Sequence, residues 1–192
     1  MLFRSPLAIS HKKGTITLEP GCQIEFSGAP RSSIFELKED LEFFVRNLKM
    51  LTAKSGHLFF AMGVNPLHSA EKMHFLPKPR YKIMNQIFQQ TGKLGHWMMR
   101  ATSSQQVCLD FSSENDLMKK LYLGFCLTPF VRALFSNSPF KSGTKGEMIC
   151  FRNEIWRDTD PQRCGIPETI FSKEATLNDY CKLILSSPAM FQ

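Results

Sequence analysis

The stretch that decides the fold is LEPGCQIEFSGAP, residues 18–30. Apolar and polar residues alternate on each side of the Pro-Gly pair, which is typical of two half-buried β-strands. The two strands form a hairpin if their apolar faces match. A two-residue loop would set Leu18 opposite Gln23 and mix the faces. A three-residue loop, Pro20–Cys22, sets Leu18 opposite Ile24 and keeps both faces uniform, so the alternation predicts this second register.

This register places the carboxylates of Glu19 and Glu25 on one face of the hairpin, beside the amide of Gln23. Carboxylates beside an amide suit a hard cation, and a magnesium nucleotide is held by one or two carboxylates plus phosphate oxygens. A solvated polar face is the alternative, because most alternating strands have a wet side. Three-residue hairpin loops usually have a left-handed Gly at the last position, whereas here that residue is Cys22.

Composition limits the classes of function. The chain has 192 residues, 43% of them hydrophobic, which is enough for one core and predicts a single domain over residues 1–192. A net charge of +7 favours anionic partners, but no run of Lys and Arg exceeds two, so nucleic-acid binding is not expected. The cysteines include no C-x-x-C pair and are typical of buried thiols in a reducing compartment, which predicts a cytoplasmic protein. No apolar stretch is long enough for a membrane helix, so membrane binding is not expected.

Capping residues and apolar spacing predict four helices. The first should bury a stripe of Leu and Phe side chains spaced by three and four. Arg80 and Lys82 lie in the first turn of the second helix, where cations are unfavourable, so they either serve a ligand or form an exposed basic turn. The predicted helices run from the capping box at Ser33 and Glu36 to Gly56, from Pro79 to near Gly92, from the cap at Ser113 to a break or kink at Pro129, and from about Leu177 to Ser186.

Three further strands are predicted from short runs. The run from His57 to Val64, HLFFAMGV, is nearly continuous in apolar residues and indicates a buried strand. The run from Gln106 to Phe111 alternates, with Gln106 on its polar face. Residues 148–151 are a third strand candidate.

Five blocks, LEPGCQIEFSGAP, LPKPRYKIM, LDFSSE, LFSNSPF and IWRDTD, follow one another along the chain. They resemble LEPGGQFELSGAP, MPKGRYKIM, VQVNLDFSSE, LFANSPF and IW-x-DTD of the plant and proteobacterial type of glutamate–cysteine ligase. The resemblance extends over nearly all of Ile9 to Phe191. It implies an α+β fold, in which a curved antiparallel sheet has helices packed behind it. This would be a glutamine-synthetase-like ligase core that is incomplete in this chain.

The resemblance also implies a reaction and its ligands. The γ-carboxylate of glutamate would be ligated to the amine of cysteine through an acyl phosphate, with ATP and magnesium (Mg2+), as the first step of glutathione biosynthesis. Glu19 and Glu25 match metal-binding positions, and Arg80, Arg152 and Gln106 match substrate-binding positions; no catalytic residue is assigned. Arginine suits a substrate carboxylate because its planar fork can bind both oxygens.

The chain also departs from the family pattern at other positions. Cys22 replaces a glycine, Cys108 replaces an asparagine and Ala101 replaces an arginine. Such ligases are also longer on both sides, so we expect this chain to be a truncated piece, and a partner chain could supply the missing segments. The alternative is a catalytically inactive relative that binds glutamate or nucleotide, or pairs with a partner chain. A basic nucleic-acid-binding domain is a third hypothesis, which charge alone supports.

Overall fold

A computed structural model describes residues 8–190. In this part of the chain, six α-helices accompany antiparallel sheets of three and two strands, so the predicted α+β class is confirmed. None of the described helices is long and apolar enough to cross a membrane. The strands are β1 (Ala8–His11), β2 (Gly14–Leu18), β3 (Ile24–Gly28), β4 (Phe140–Lys141) and β5 (Thr144–Lys145). The helices are α1 (Ile34–Ala53), α2 (Pro79–Thr91), α3 (Gly95–Ala101), α4 (Glu114–Leu134), α5 (Phe151–Arg157) and α6 (Leu177–Ser186).

The described residues separate into two compact units. The first unit comprises residues 8–61 and 74–76, and the second comprises residues 62–73 and 77–190. The single domain expected over residues 1–192 stays a prediction.

The hairpin of the first unit has the predicted register. β2 and β3 pair antiparallel with Leu18 opposite Ile24, and the N–H of Glu19 donates to the carbonyl of Gln23 at 2.9 Å. Cys22 has a φ of 63°, the left-handed conformation that this loop usually gives to glycine. β1, which was not predicted, pairs with the other edge of β2.

α1 packs on the apolar face of this hairpin through Phe44, whose ring stacks on Phe26 with centroids 4.9 Å apart. Asp40 of α1 is buried and accepts hydrogen bonds from Lys13 and from Nε of Arg31. These two ion pairs join the helix to the residues at each end of the β2–β3 hairpin. The side of β2 and β3 opposite Phe26 therefore remains the polar face.

The start and end of α1 differ from the prediction. Ser33 accepts from the N–H of Phe35 at 3.2 Å rather than from that of Glu36, and Glu36 accepts from the hydroxyl of Ser32 at 3.3 Å. The expected capping box is therefore wrong in detail. The helix ends at Ala53, three residues before Gly56.

The apolar stripe of α1 was expected to be buried, which is wrong for most of it. Leu37 and Leu41 are each 41% exposed and Leu51 is 72% exposed, whereas Phe44 and Leu48 are half-buried. The three-stranded sheet is too short to cover a helix of 20 residues.

α3 is the centre of the second unit, because both α2 and α5 pack against it. Trp97 of α3 meets Phe151 of α5 edge to face, with ring centroids 5.2 Å apart. The apolar cluster around this contact consists of the buried residues Val64, Ala70, Trp97, Ala101 and Ile155.

Three helix predictions in this unit are confirmed. α2 begins at Pro79 and α6 spans Leu177–Ser186. α4 begins after Ser113, whose hydroxyl accepts from the N–H of Asp116 at 3.2 Å. A break or a kink was expected at Pro129; the break is wrong, because α4 continues to Leu134, and the kink stays a prediction. Pro129 is exposed, so water can satisfy the carbonyl that loses its N–H partner there.

The three additional strands predicted are wrong. Residues 57–61 and 103–111 are irregular and exposed, and residue 151 begins α5. A strand needs a neighbour for its hydrogen bonds, and alternation in the sequence does not reveal whether one exists. In residues 8–190 the pairings near these runs are single bridges, Val64 with Thr102 and Ser138 with Cys150.

Candidate functional site

Ser138 fixes the start of α5. Its N–H donates to the carbonyl of Ile149 at 3.2 Å, and its carbonyl accepts from the N–H of Phe151 at 3.0 Å. Its hydroxyl accepts from the N–H of Arg152 at 3.1 Å. Ser138 is only 1% exposed, so these hydrogen bonds hold the main chain of Arg152 firmly against the loop that follows α4.

Gly63 allows a close approach to the side chain of Arg152. A Cβ at position 63 would lie 3.0 Å from Cδ of Arg152 and 3.0 Å from Oδ1 of Asn137. The N–H of Gly63 donates to the same Oδ1 at 2.9 Å. A residue with a side chain would need its neighbours to move, so glycine is the residue that fits here.

The guanidinium of Arg152 has no acidic partner in the described part of the chain, where no ion pair includes Arg152 or its neighbour Arg132. The Arg152 side chain is about half-buried, its Nε is buried without a hydrogen-bond partner, and its guanidinium lies 5.8 Å from the ring centroid of Trp156. Burial lowers the pKa of Arg152; the thiol of Cys150 acts in the opposite direction, and the charge of Arg132 lowers the pKa further. A partly desolvated cation beside a second cation is stabilised by an anion.

Arg80 lies in the first turn of α2 and is exposed. Its Nη2 donates to the hydroxyl of Tyr81 at 3.0 Å, and its guanidinium carbon lies 4.8 Å from the centroid of that ring. Since Tyr81 is buried, the ring gives the guanidinium a fixed support. α2 and α5 both pack on α3, yet the convergence of Arg80 and Arg152 on one carboxylate stays a prediction.

Gln106 lies in the irregular segment 103–111 and is exposed. The strand that should have aimed its side chain is not formed. Val107 and Leu109, on the other face of the expected strand, are exposed as well. The assignment of Gln106 to substrate binding therefore stays a prediction without a fixed side-chain direction.

Glu25 is exposed on β3, opposite Thr17 of β2, and accepts from the hydroxyl of Ser27 at 3.2 Å. Glu19 is half-buried and directly follows β2. Because Glu19 pairs with Gln23, the two glutamates are diagonal neighbours on one face, which in an ordinary sheet are about 7–8 Å apart. The predicted hairpin face is therefore formed.

The donor set on this face fits magnesium in part. Residues 8–190 contain no group of three His, Cys, Asp or Glu side chains that could hold a metal ion. Magnesium usually keeps several water molecules and takes one or two carboxylates plus substrate phosphates. Glu19 and Glu25 are such a pair, so their role as metal ligands stays a prediction that the chemistry of the donors favours.

The sequence did not indicate that Gly63, Asn137, Ser138 and Arg132 surround Arg152. Asn137 and Ser138 belong to the LFSNSPF block, which was a signal for them. Gly63 meets Asn137 across 74 residues, and no local pattern predicts such a contact. Arg132 could have been noticed as a cation at the end of an otherwise apolar helical segment.

Comparison with known proteins gives the class of the chain. The model of glutamate-cysteine ligase family 2 matches residues 3–192. The glutamate–cysteine ligase of Brassica juncea is 35% identical over 185 residues, which cover 96% of this chain and 36% of that protein. Glutamate–cysteine ligase A of Oryza sativa subsp. indica is 34% identical over 185 residues, covering 96% of this chain and 38% of that protein. The Arabidopsis thaliana ligase is 35% identical, again over 96% of this chain and over 35% of its own length.

The chain therefore belongs to the glutamate–cysteine ligase family. It spans 35–38% of the length of these three relatives, whose names describe them as chloroplastic.

Proposed function

We propose that the chain carries the glutamate-binding part of a glutamate–cysteine ligase. The observation that carries the proposal is the guanidinium of Arg152, which is half-buried, has an unpartnered Nε and has no acidic partner among residues 8–190. A carboxylate of glutamate would supply the missing negative charge and accept from the guanidinium fork. Membership of the family supports glutamate as the source of that carboxylate.

The proposed reaction joins the γ-carboxylate of glutamate to the amine of cysteine, the first step of glutathione biosynthesis. ATP phosphorylates the γ-carboxylate, and the amine then attacks the acyl phosphate and displaces phosphate. Arg80 and Arg152 hold the substrate glutamate, and Gln106 adds a polar contact. Glu19 and Glu25 would hold Mg2+, which when bound neutralises negative charge on the phosphates of ATP. The cytoplasmic location predicted from the sequence belongs to this proposal as well.

Titration calorimetry with glutamate tests the role of Arg152. Arg152→Gln removes both the charge and the fork, and we expect the Kd for glutamate to rise at least tenfold, about 1.4 kcal/mol. Arg152→Lys keeps the charge but not the fork, so much of the affinity should also be lost. The matched control is Arg157→Gln on the same helix, because Arg157 is exposed and, among residues 8–190, its one ion pair is with Glu154 at 3.3 Å. Equal affinity in wild type and Arg152→Gln would contradict the proposal.

A catalytically inactive relative that binds glutamate is the second candidate function. It is favoured by Ala101, which is buried in the apolar cluster of the second unit at a position where the family pattern has an arginine. Cysteine-dependent release of ADP from ATP and glutamate distinguishes the two candidates. We expect none from the chain alone, because Glu19 and Glu25 supply two ligands of a larger metal site. Steady release above that of a Glu25→Gln variant would favour a complete enzyme.

A further inference from the structure

We propose that Trp156 is a positioning residue of the glutamate site, whose indole face holds the guanidinium of Arg152 in the orientation in which it binds a carboxylate. The inference rests on the proposed function, since it gives Trp156 a role in that same site. Trp156 acts through Arg152 and needs no contact with glutamate.

Arg152 and Trp156 lie on one face of α5, four residues apart. The guanidinium carbon of Arg152 lies over the indole ring, 5.8 Å from its centroid, which is within the distance at which the face of an aromatic ring attracts a cation. Tryptophan attracts a cation more strongly than tyrosine or phenylalanine does. Arg152 is half-buried and Trp156 is 36% exposed, so water weakens this attraction less than it would at an open surface.

The other contacts described for Arg152 do not fix the direction of its guanidinium. The hydroxyl of Ser138 accepts from the main-chain N–H, Nε is buried without a hydrogen-bond partner, and no ion pair among residues 8–190 includes Arg152. An arginine side chain has several rotatable bonds, and ordering them on binding costs free energy. Within the described residues, the ring of Trp156 is therefore the group that restricts the guanidinium before glutamate arrives.

An aromatic ring restricts a cation without neutralising its charge. A carboxylate would also orient the guanidinium, but it would occupy the N–H groups that bind the substrate and would compete with glutamate. Both arrangements occur on α5. Its one acidic residue, Glu154, pairs with Arg157 at 3.3 Å, whereas Arg152 has the ring of Trp156. The planar fork of Arg152 is thus kept for an incoming carboxylate.

The second arginine of the proposed site has the same kind of support. The guanidinium carbon of Arg80 lies 4.8 Å from the ring centroid of Tyr81, its neighbour on α2. Tyr81 is buried, so replacing it would disturb the core. Trp156 is partly exposed, and it is therefore the ring whose role can be tested by substitution.

Titration calorimetry with glutamate compares two substitutions of Trp156. Trp156→Leu keeps an apolar side chain without an aromatic face, and we expect the Kd for glutamate to rise about five- to tenfold. Trp156→Phe keeps an aromatic face, so the rise should stay below about threefold. The matched control is Phe130→Leu on α4, which removes another exposed ring and should leave the affinity unchanged. Thermal melts of all variants measure the loss of packing separately.

NMR of the arginine side chains in the unliganded chain gives a second readout. The guanidinium signals of Arg152 are identified by their loss in Arg152→Lys. An aromatic ring shifts the signals of atoms that lie over its face upfield, and the guanidinium carbon of Arg152 lies over Trp156. We expect this shift to disappear in Trp156→Leu and to remain in large part in Trp156→Phe.

The two readouts separate the positioning role from the proposed function. Equal glutamate affinity in wild type and Trp156→Leu, in a chain whose affinity depends on Arg152, overturns the positioning role alone. Equal weakening by Trp156→Leu and Trp156→Phe also overturns it, because lost packing would then explain both. A wild-type chain without glutamate affinity overturns the proposed function, and guanidinium signals that are unchanged in Trp156→Leu overturn the positioning role whether or not glutamate binds.

Discussion

The hydroxyl of buried Ser138 accepts a hydrogen bond from the main-chain N–H of Arg152, with 3.1 Å between oxygen and nitrogen. This hydrogen bond ties the first turn of α5 to the loop that follows α4. The side chain proposed to bind glutamate is thus held through its own backbone, and this hydrogen bond can be removed without changing the guanidinium.

Ser138→Ala should therefore lower both stability and glutamate affinity. The N–H of Arg152 would lose its acceptor, which we expect to lower the free energy of unfolding by about 1–2 kcal/mol in urea titrations. The Kd for glutamate should rise less than in Arg152→Gln, because the guanidinium remains. Ser186→Ala on α6, which removes an exposed hydroxyl bonded to Leu183, should change stability by about 0.5 kcal/mol or less. A Ser138→Ala variant as stable as wild type would show that water replaces the acceptor.

Gly63→Ala should weaken glutamate binding several-fold. The new Cβ would lie 3.0 Å from Cδ of Arg152, so the side chain has to move by a few tenths of an ångström. Calorimetry of glutamate binding measures the effect. Gly124→Ala is the matched control, because a Cβ there meets no atom within 4 Å; it should leave binding unchanged and stabilise α4 by up to about 1 kcal/mol. If Gly63→Ala binds glutamate as tightly as wild type, glutamate does not bind at the Arg152 side chain that Gly63 contacts.

Asp40→Asn should destabilise the chain in a manner that depends on pH. Hydrogen bonds from Lys13 and then Arg31 hold the pKa of Asp40 below its ordinary value of 3.8. Because the pKa of Asp40 is lowered in the folded chain, the stabilisation from its two ion pairs is fully present when the pH is above the ordinary pKa of 3.8. This stabilisation is lost as the pH falls through the pKa that Asp40 has in the folded chain. The melting temperature of Asp40→Asn should lie a few degrees below that of wild type at neutral pH, and the difference should shrink in acid.

Thermal melts of both proteins from neutral to strongly acidic pH measure that difference. The control is Glu42→Gln on the same helix, which removes an exposed ion pair in which Nζ of Lys38 lies 3.6 Å from Oε1 of Glu42. Such exposed pairs contribute about 0–1 kcal/mol to stability. A difference for Asp40→Asn that is constant across the pH range would exclude the two ion pairs as its cause.

Cys22→Gly should stabilise the hairpin. Cys22 has a φ of 63°, where a Cβ costs about 1–2 kcal/mol, and the greater freedom of glycine in the unfolded chain offsets part of the gain. We expect the free energy of unfolding to rise by about 0.5–1 kcal/mol. Cys181→Gly, inside α6, should do the opposite by a similar amount. A less stable Cys22→Gly variant would mean that the thiol makes a contact that outweighs the strain.

The hairpin and the helix starts could be predicted because their causes are local. The register of Leu18 with Ile24 follows from the alternation and a three-residue loop, and both lie within a few residues. Ser113 and Pro79 mark helix starts by hydrogen bonding and by backbone geometry within one turn. The three wrong strands, by contrast, depended on neighbours that the sequence could not reveal. α3 and α5 span seven residues each, which is too short for a clear period.

The candidate site was predicted in part for the same reason. Arg152 was found because it matches an arginine of the family pattern, between the blocks LFSNSPF and IWRDTD. Its supports, Gly63 and Asn137, come together across 74 residues, and that contact exists only after the chain folds. The direction of Gln106 could not be predicted, because it depended on a strand that is not formed.

Ala101 shows how a packed cluster limits the residue types that one position can hold. Ala101 is 4% exposed and packs in the cluster that contains Trp97 and Ile155. An arginine introduced at this position would have to place a long charged side chain in that cluster, where overpacking and unpaired charge are both costly. An arginine could therefore be accommodated at this position only together with changes in the residues that pack around the alanine. In this chain, position 101 can change to a large charged residue only through several simultaneous substitutions.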